Sequence, residues 1–415
     1  MMHRRPAGAG LLISSLVLLK IVLTTSVGLA REPREASPSF HDAVAEAWAR
    51  LPARQEFAAR QATATARLAA AGAFFPNAPS LSGTYVNDRA LGSNNGYNTN
   101  QIELSTPVWL PGERRATLAT ATATGTAIGA ASEAAHLELA AQVLDLATQA
   151  TLAADFRDIS ARRLAAARAL ATDLARRNRV GESSESDALA ADADAANVTM
   201  TLSGAEAQLE SARASLTAIV GNDRLPRLDA VTLPPEADVL ASHPRIVAAE
   251  RAVAVAQADR SLVRITNRDS PEIGVQGINE KQPGTKWDTR VGVIFRLPFA
   301  TEARNAPRRA AAEQAVTVAE VQLAMARRDV QAGIRQAAAV LAGAEQGAGA
   351  AERAASALEK RRGQIDRAWR LGEMSLIEVV RANALAFDAA FARDRARTER
   401  SAARLRLSLA EGVLP

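Results

Sequence analysis

The sequence predicts a mainly α-helical protein with a small β part, built from two copies of one unit of about 190 residues. A turn of the form Arg-Val/Leu-Gly-Glu occurs at 179–182 and again at 370–373, an offset of 191 residues. The same offset takes Pro107 to Pro298, and each of these prolines ends a strand-like run. A long Ala-, Leu- and Arg-rich stretch precedes each turn, which is typical of long helices that pack closely. Self-similarity at a fixed period indicates an internal duplication.

Residues 1–30 are predicted to be a secretory signal peptide. Arg4 and Arg5 precede an apolar run at 11–19, and small residues at 28–30 form a cleavage site. An N-terminal membrane anchor is the alternative, but the apolar run is shorter than the ~20 residues that span a bilayer. The formal net charge of +5 falls to +2 without this segment's three basic residues. Such a small charge is weak evidence for nucleic-acid binding, and we expect no nucleic-acid partner.

Composition and residue spacing predict no catalytic site, no cofactor and no metal site. The chain has no cysteine, which excludes disulfides, thiol catalysis and cysteine-based metal sites. Its four histidines, at positions 3, 41, 136 and 243, do not have the spacing of metal ligands. No glycine-rich loop precedes a basic helix start, as phosphate binding would require. We therefore expect a protein that is not an enzyme.

The first repeat is predicted to span residues 31–221. A helix broken near Pro52 leads into a β-hairpin at 80–107, where apolar and polar residues alternate on either side of a Gly- and Asn-rich turn. A long helix is predicted at 113–178, and about 66 residues at 1.5 Å per residue extend over roughly 100 Å. A return helix at 184–220 completes the repeat.

The second repeat is predicted to span residues 244–415, after a linker at 222–243 that is rich in proline. It follows the same plan as the first repeat. A helix is followed by a β-hairpin at 272–298, a long helix at 303–369 and a return helix at 375–411.

The predicted helix lengths suggest how the helices pack. The first long helix is about as long as its return helix and the helix of residues 244–267 together. The second is about as long as its return helix and the opening helix of the chain together. We therefore expect each long helix to lie beside two shorter ones stacked end to end. This arrangement gives a long helical barrel, with the β-hairpins at one pole and the glycine turns at the other.

Aromatic residues concentrate in or beside the two β-hairpins, although they make up only 4% of the chain. Aromatic side chains that flank alternating strands are typical of the girdle of an outer-membrane barrel. Four strands cannot enclose a pore, so they would close with other copies of the chain, and three copies would give twelve strands. A small soluble sheet packed by the same aromatics is the alternative. The predicted girdle residues are Phe74, Phe75, Tyr85, Trp109, Trp287, Phe295 and Phe299.

The two glycine turns are the second candidate site. Glycine supplies the positive φ that ends a helix and reverses the chain, so ordinary helix-loop-helix turns are one interpretation. Asp187 and Glu378 each lie six residues after a turn glycine. If the turns form the narrow end of a channel, these acids would ring its opening, as acidic rings do in cation-selective pores. Acids on solvated helix faces are the alternative.

The duplicated order of helix, hairpin, proline-containing strand exit, long helix, glycine turn and return helix resembles the TolC-like outer-membrane efflux proteins. The strongest local matches are residues 370–378 and the strand exits at Pro107 and Pro298. Residues 108–115 are similar to the exit sequence common in the heavy-metal-cation branch of that family. The resemblance covers essentially all of the predicted mature chain.

The resemblance implies a homotrimer in the outer membrane of a Gram-negative bacterium. Its twelve-stranded β-barrel would cross outer-membrane lipid, and a tunnel of twelve helices would cross the periplasm. It also implies docking to a periplasmic adaptor and to an inner-membrane pump, commonly of the resistance-nodulation-division class. The predicted function is a passive exit duct for drugs or heavy-metal cations. A duct for type I protein secretion and a soluble periplasmic coiled-coil adaptor or structural protein are the alternatives.

The resemblance also implies roles for the two glycine turns. Asp187 and Glu378 would lie at the family's acidic constriction, but Arg381 stands where the archetypal channel has a second acid. This departure argues against a tight double acidic ring. The residues that would meet the adaptor are Arg179, Val180, Gly181, Glu182, Ser184, Arg370, Leu371, Gly372, Glu373 and Ser375.

Overall fold

The computed structural model describes residues 37–89, 91–92, 94–228 and 239–414. The predicted signal peptide and the central part of the predicted linker lie outside these residues. Residues from Ser37 onward form one compact unit. The predicted fold class, mainly helical with a small antiparallel β part, is confirmed.

The first repeat contains two short helices, a hairpin and a helix pair. Pro52 occupies the first turn of the second helix, where its missing N–H costs no hydrogen bond. The third helix is about 100 Å long, as its 67 residues require. The elements are α1 (Phe40–Arg50), α2 (Pro52–Ala71), β1 (Ser80–Asn87), β2 (Asn98–Pro107), α3 (Glu113–Arg179) and α4 (Glu185–Val220).

The second repeat has the same order of elements. A four-residue helix, α5, lies within the stretch that was predicted to be a linker. The elements are α5 (Val239–Ser242), α6 (Pro244–Ile265), β3 (Glu272–Lys281), β4 (Asp288–Arg296), α7 (Glu302–Arg370) and α8 (Leu376–Ala410).

The four strands form one antiparallel sheet in the order β1-β2-β3-β4. The two hairpins are joined by pairing of β2 with β3 over ten residues, from Asn98 opposite Lys281 to Pro107 opposite Glu272. Among the described residues, β1 and β4 each pair on one side only. The sheet is therefore open at both edges, with the first strand of each chain at one edge and the last at the other.

The helices repeat the lateral order of the strands to which they connect. At the sheet end, α2 packs on α3, α3 packs on α6, and α6 packs on α7. Along the chain, α2 leads into β1, β2 leads into α3, α6 leads into β3, and β4 leads into α7. At the other end α8 takes the place of α6 between α3 and α7, and α4 packs on the outer side of α3. One strand therefore leads to each column of helices.

This order corrects part of the predicted stacking. Helix α3 does lie beside both α4 and α6, as expected. Within one chain, however, α7 packs against α8 and α6, whereas α1 and α2 pack against α3. The helices that meet end to end are α6 and α8, at a cavity of about 520 Å³ that Arg245 and Arg406 both line. Helix lengths show which short helices could stack end to end. They do not show which long helix such a stack lies beside, and this is why the prediction was partly wrong.

The largest buried cluster lies at mid-length of α3, between Leu137 and Ala150. Side chains from α1, the end of α4 and the end of α8 pack onto this segment, so the middle of the molecule holds the two repeats together. Burial of this apolar surface stabilises the fold at about 25 cal/mol per Å². Both the sheet and the glycine turns project away from this core.

Candidate functional site

One exposed face of the sheet carries large apolar side chains from all four strands, and we call it the apolar sheet face. Strand register aligns Leu81, Leu104, Val275 and Val293 in one row across all four strands. Neighbouring rows add further exposed apolar side chains, because residues two apart share a face. The exposed members are Leu81, Tyr85, Ile102, Leu104, Ile273, Val275, Val291, Val293 and Phe295.

The opposite face of the sheet carries most of its charged side chains, and several of them pair across the strands. Gln101 and Gln276 join β2 to β3 by a side-chain hydrogen bond of 2.8 Å. Arg296 forms an ion pair of 2.7 Å with Glu272 on the neighbouring strand, and Arg290 pairs with Glu280. An apolar face opposite such a polar face is the pattern of a barrel wall that has lipid outside and water inside.

The predicted girdle residues fall at the two ends of the apolar sheet face. Tyr85 and Trp287 lie toward the hairpin loops, and both are about half exposed or more. Phe74 and Phe75 contact each other edge to face at 4.8 Å, just before β1. The Trp109 indole N–H donates to the Ala73 carbonyl at 3.3 Å.

The remaining two girdle residues are on or just after β4. Phe295 belongs to the apolar sheet face, and Phe299 is 81% exposed three residues beyond the strand. The structure therefore places the aromatic residues in two groups, one beside the hairpin loops and one where the strands meet the helices. That arrangement is consistent with a girdle, which stays a prediction.

The two tip turns, residues 179–184 and 370–375, have the same backbone structure. Gly181 and Gly372 have φ of 78° and 79°, in the left-handed region that favours glycine. In the first turn the Glu182 N–H donates to the Arg177 carbonyl and the Gly181 N–H to the Asn178 carbonyl. In the second turn the Glu373 N–H donates to the Ala368 carbonyl and the Gly372 N–H to the Trp369 carbonyl. Both are Schellman motifs, which satisfy carbonyls left open at the helix end.

The tip turns also present similar side chains to solvent. Val180 and Leu371 precede the glycines and are 67% and 75% exposed. Arg179, Glu182, Arg370 and Glu373 are exposed as well. The Ser184 hydroxyl accepts a hydrogen bond from the Asp187 N–H at 3.0 Å and so caps α4, whereas Ser375 makes no side-chain cap. Each turn thus carries one apolar side chain between charged neighbours.

The acids predicted for the constriction have different surroundings. Glu378 pairs with Arg381 at 2.7 Å on the same helix and lies 3.9 Å from Arg361 of α7. Asp187 makes no ion pair with any described residue. Ala191 of α4 and Leu376 of α8 share one buried cluster, so the starts of the two return helices lie close together. Both acids are therefore at the same end, but the charge of Glu378 is already compensated.

A contact between the two long helices was not predicted from the sequence. The Arg177 guanidinium lies over the Trp369 ring at 4.9 Å, and Asp173 pairs with Arg177 at 2.9 Å. Trp369 also packs against two buried clusters that join α3, α4, α7 and α8. A cation over an indole face is attracted by the ring's quadrupole. These residues hold the two glycine turns together, beside a cavity of about 430 Å³.

The tip cavity is bounded by further arginines in fixed pairs. Arg362, which lines it, donates two hydrogen bonds to Glu359, and these bonds lower the pKa of that carboxyl. Arg370 pairs with Asp366 at 2.7 Å. Both acids that line the cavity, Asp173 and Asp366, are thus paired with an arginine. Local ion pairs therefore stabilise the helix ends together with apolar packing.

Replacing Trp369 with alanine is expected to separate the two turns. The change removes the partner of Arg177 and the ring shared by two clusters, and truncation of a large aromatic costs about 3 kcal/mol when it is well buried. Because the chain has no cysteine, Val180→Cys and Leu371→Cys can carry spin labels specifically. We expect a broader and longer distance distribution between the labels in Trp369→Ala. Trp369→Phe, which keeps a ring, should change it little; equal distributions in all variants would contradict the contact's role.

No group of three histidine, aspartate or glutamate side chains is placed to hold a metal ion in the part of the chain that the structure describes. Among the same residues, none of the helices combines the length and the hydropathy needed to cross a bilayer.

Comparison with protein families matches residues 43–222 to the outer membrane efflux protein family. The matched region runs from α1 through the first hairpin, α3 and α4. No curated protein is a significant sequence match to the chain.

Solved structures similar to this fold include outer-membrane proteins from three bacteria. The CmeC outer membrane channel of Campylobacter jejuni has a TM-score of 0.73 and 16% identity, covering 90% of this chain and 85% of that one. The open state of the MtrE outer membrane channel of Neisseria gonorrhoeae has a TM-score of 0.71 and 16% identity, covering 91% and 89%. The outer membrane protein VceC of Vibrio cholerae has a TM-score of 0.69 and 18% identity, covering 90% and 96%. At these identities the likeness establishes the fold.

Proposed function

We propose that the chain is one protomer of a trimeric outer-membrane exit duct, and the match of residues 43–222 to the outer membrane efflux protein family supports this proposal. The same match supports the predicted function of a transport channel rather than an enzyme. The further proposals are that the duct spans the outer membrane and the periplasm, and that it works in a tripartite efflux system. Drugs or heavy-metal cations are the proposed cargo classes.

One observation carries the proposal of a closed ring: the sheet and the helices are open at the same two sides. β4 and α7 form one open side, and β1 with α2 forms the other. On α7, Val318, Val321 and Met325 are exposed at helical spacing. A contact between two different surfaces of identical chains closes as a ring when the rotation allows it. Three copies would pair every strand edge in a twelve-stranded barrel.

The dimensions of the strands support a membrane position for the sheet. β2 and β3 have ten residues each, and transmembrane strands have about 9–11 residues at a tilt near 45°. The apolar sheet face would then form the outward band, which is about 25 Å tall in such barrels. Lipid offers no hydrogen bonds, so the two open strand edges must be paired there.

The tip turns are the proposed docking surface for a periplasmic adaptor. Their matched backbone and exposed Val180 and Leu371 give two similar contact points per protomer. Energy for export would come from an inner-membrane pump, proposed to be of the resistance-nodulation-division class.

Conductance in planar lipid bilayers, with the oligomeric mass measured in the same detergent, tests the proposed function. We expect discrete channels from a homotrimer. A water-soluble monomer that forms no channels would overturn the proposal and favour the adaptor or scaffold interpretation.

The same recordings test the acidic constriction. Asp187→Asn should reduce cation selectivity more than Glu378→Gln, because Arg381 already compensates the Glu378 charge at 2.7 Å. Arg381→Gln should increase cation selectivity for the same reason. Glu206→Gln removes an equal charge from an exposed position 19 residues along α4 from Asp187 and serves as the control. Unchanged selectivity in all variants would show that these acids do not face the pore.

A further inference from the structure

A cavity of about 510 Å³ lies where the strands meet the helices. Arg268 contributes its only charged side chain. The remaining lining residues are polar or apolar and come from three chain segments: Leu110, Pro111, Ile265, Asn267, Phe299 and Ala300. The cavity therefore combines one cation with exposed apolar surface.

The positive charge at this cavity is not balanced by neighbouring acids. Residues 265–271 and 299–309 contain four arginines and two acids, a net charge of +2. Asp269 is held by Arg304 at 2.5 Å, and Glu302 pairs with Arg309. Arg268 makes no ion pair or hydrogen bond with any residue that the structure describes.

A second arginine is fixed close to Arg268. The Arg308 guanidinium donates to the Thr266 carbonyl at 3.1 Å, two residues before Arg268. Asn305 donates to the Asn267 carbonyl at 2.7 Å, so the start of α7 is bonded to the same short segment. These bonds fix the backbone of the cavity wall. The hydrogen bond from Arg304 lowers the pKa of the Asp269 carboxyl, and the nearby Arg308 charge adds to this effect.

The apolar sheet face begins next to this charge. Ile273 and Phe295 are opposite each other in the register of β3 and β4, and both are exposed. Ile273 is five residues from Arg268, at most about 17 Å of extended chain. Phe299, which lines the cavity, is 81% exposed. A molecule with an anionic head and apolar tails would match a positive charge that lies next to an exposed apolar surface.

We propose that the cavity binds the phosphate headgroup of an anionic phospholipid at Arg268, with Arg308 adding positive charge from just outside the cavity and acyl chains on Phe299, Phe295 and Ile273. The inference rests on the proposed membrane position of the sheet. At three copies per ring, three such sites would form a belt at the helix side of the barrel. Arginines near a membrane surface attract anionic lipids, each strengthening association on the order of five-fold.

Tryptophan quenching by brominated phospholipids tests the proposal, because bromine quenches only at short range. The trimer carrying Trp287→Phe keeps Trp109, next to the cavity residue Leu110, as the reporter near the sheet. Trp48 of α1 and Trp369 of α7 add a constant background from the helical part. It is reconstituted into phosphatidylcholine vesicles that contain brominated phosphatidylglycerol, and separately into vesicles that contain brominated phosphatidylcholine. We expect a several-fold preference for phosphatidylglycerol over phosphatidylcholine at the reporter.

Charge variants identify the site. In the reporter background, Arg268→Gln should lower the preference on the order of five-fold, and Arg268→Lys should keep most of it. Arg268→Gln with Arg308→Gln should remove it. Arg327→Gln with Arg335→Gln, an equal change of charge further along α7, should leave it unchanged.

The outcomes separate this inference from the proposed function. Equal quenching by the two lipids, loss of the preference in the control pair, or displacement of phosphatidylglycerol by inorganic phosphate would overturn the lipid site alone. Absence of quenching by either lipid would instead contradict the membrane position of the sheet.

Discussion

Val275→Arg is expected to prevent stable insertion of the oligomer into membranes. Val275 is an exposed residue of the apolar sheet face, on an inner strand of the four. An arginine facing lipid near the bilayer midplane costs about 2–4 kcal/mol per protomer, and the cost recurs in every copy of a ring. The measurement is the amount of heat-modifiable oligomer in the outer-membrane fraction, which we expect to fall strongly.

Gln276→Arg is the matched control for this change. Gln276 is the next residue on β3 and lies on the polar sheet face, opposite Glu103. An arginine there adds the same charge beside an acid and away from lipid, so the oligomer should persist. Equal loss in both variants would mean that the two faces do not differ in their surroundings, and the barrel proposal would fail.

Substitution of both turn glycines by valine is expected to abolish export while oligomers remain in the membrane. No described atom lies within 4 Å of a Cβ built at Gly181 or Gly372, so valine would meet no steric clash. The effect would come from the backbone: φ near +78° is unfavourable for a β-branched residue, and left-handed conformations cost about 1–3 kcal/mol each for residues other than glycine. Relaxation of this strain would reshape both tip turns.

The measurement is efflux of drugs and heavy-metal cations, the proposed cargo classes, by cells that carry the complete export system. Gly333→Val is one control, because Gly333 lies in the middle of α7 with no positive φ and no neighbour within 4 Å. Asparagine at both turns is the other, since it tolerates the left-handed region and should retain most export. Full export by the valine variant would exclude the turns as the docking surface.

Local patterns predicted the elements of this fold closely. The helix expected at 113–178 is Glu113–Arg179, and both hairpins follow the alternation of apolar and polar residues. The tip turns could be found because glycine at positive φ leaves a repeated sequence signature. In each case the determining interactions join residues that are close along the chain, which is why a single sequence contains the information.

Contacts between distant segments were not predictable in the same way. The order of α6 and α8 between the two long helices depends on side-by-side packing that helix lengths do not encode. The contact of Arg177 with Trp369 joins residues far apart in sequence, and many other arginines could have occupied that ring. The sequence showed that Arg381 replaces a second acid, and the structure adds that Arg381 pairs with Glu378, three residues away on the same helix face.

The two unlike open sides of the protomer have a genetic consequence. In a ring built from such contacts, every subunit must present two intact surfaces, one formed by β1 and α2 and the other by β4 and α7. One subunit with a defective surface breaks an interface of the ring even when the other subunits are normal. In a cell that makes equal amounts of normal and damaged chains, only about one-eighth of three-membered rings would be wholly normal. In a bacterium given a second copy of the gene, lesions at these sides would therefore be dominant, whereas a copy that makes no chain would be recessive.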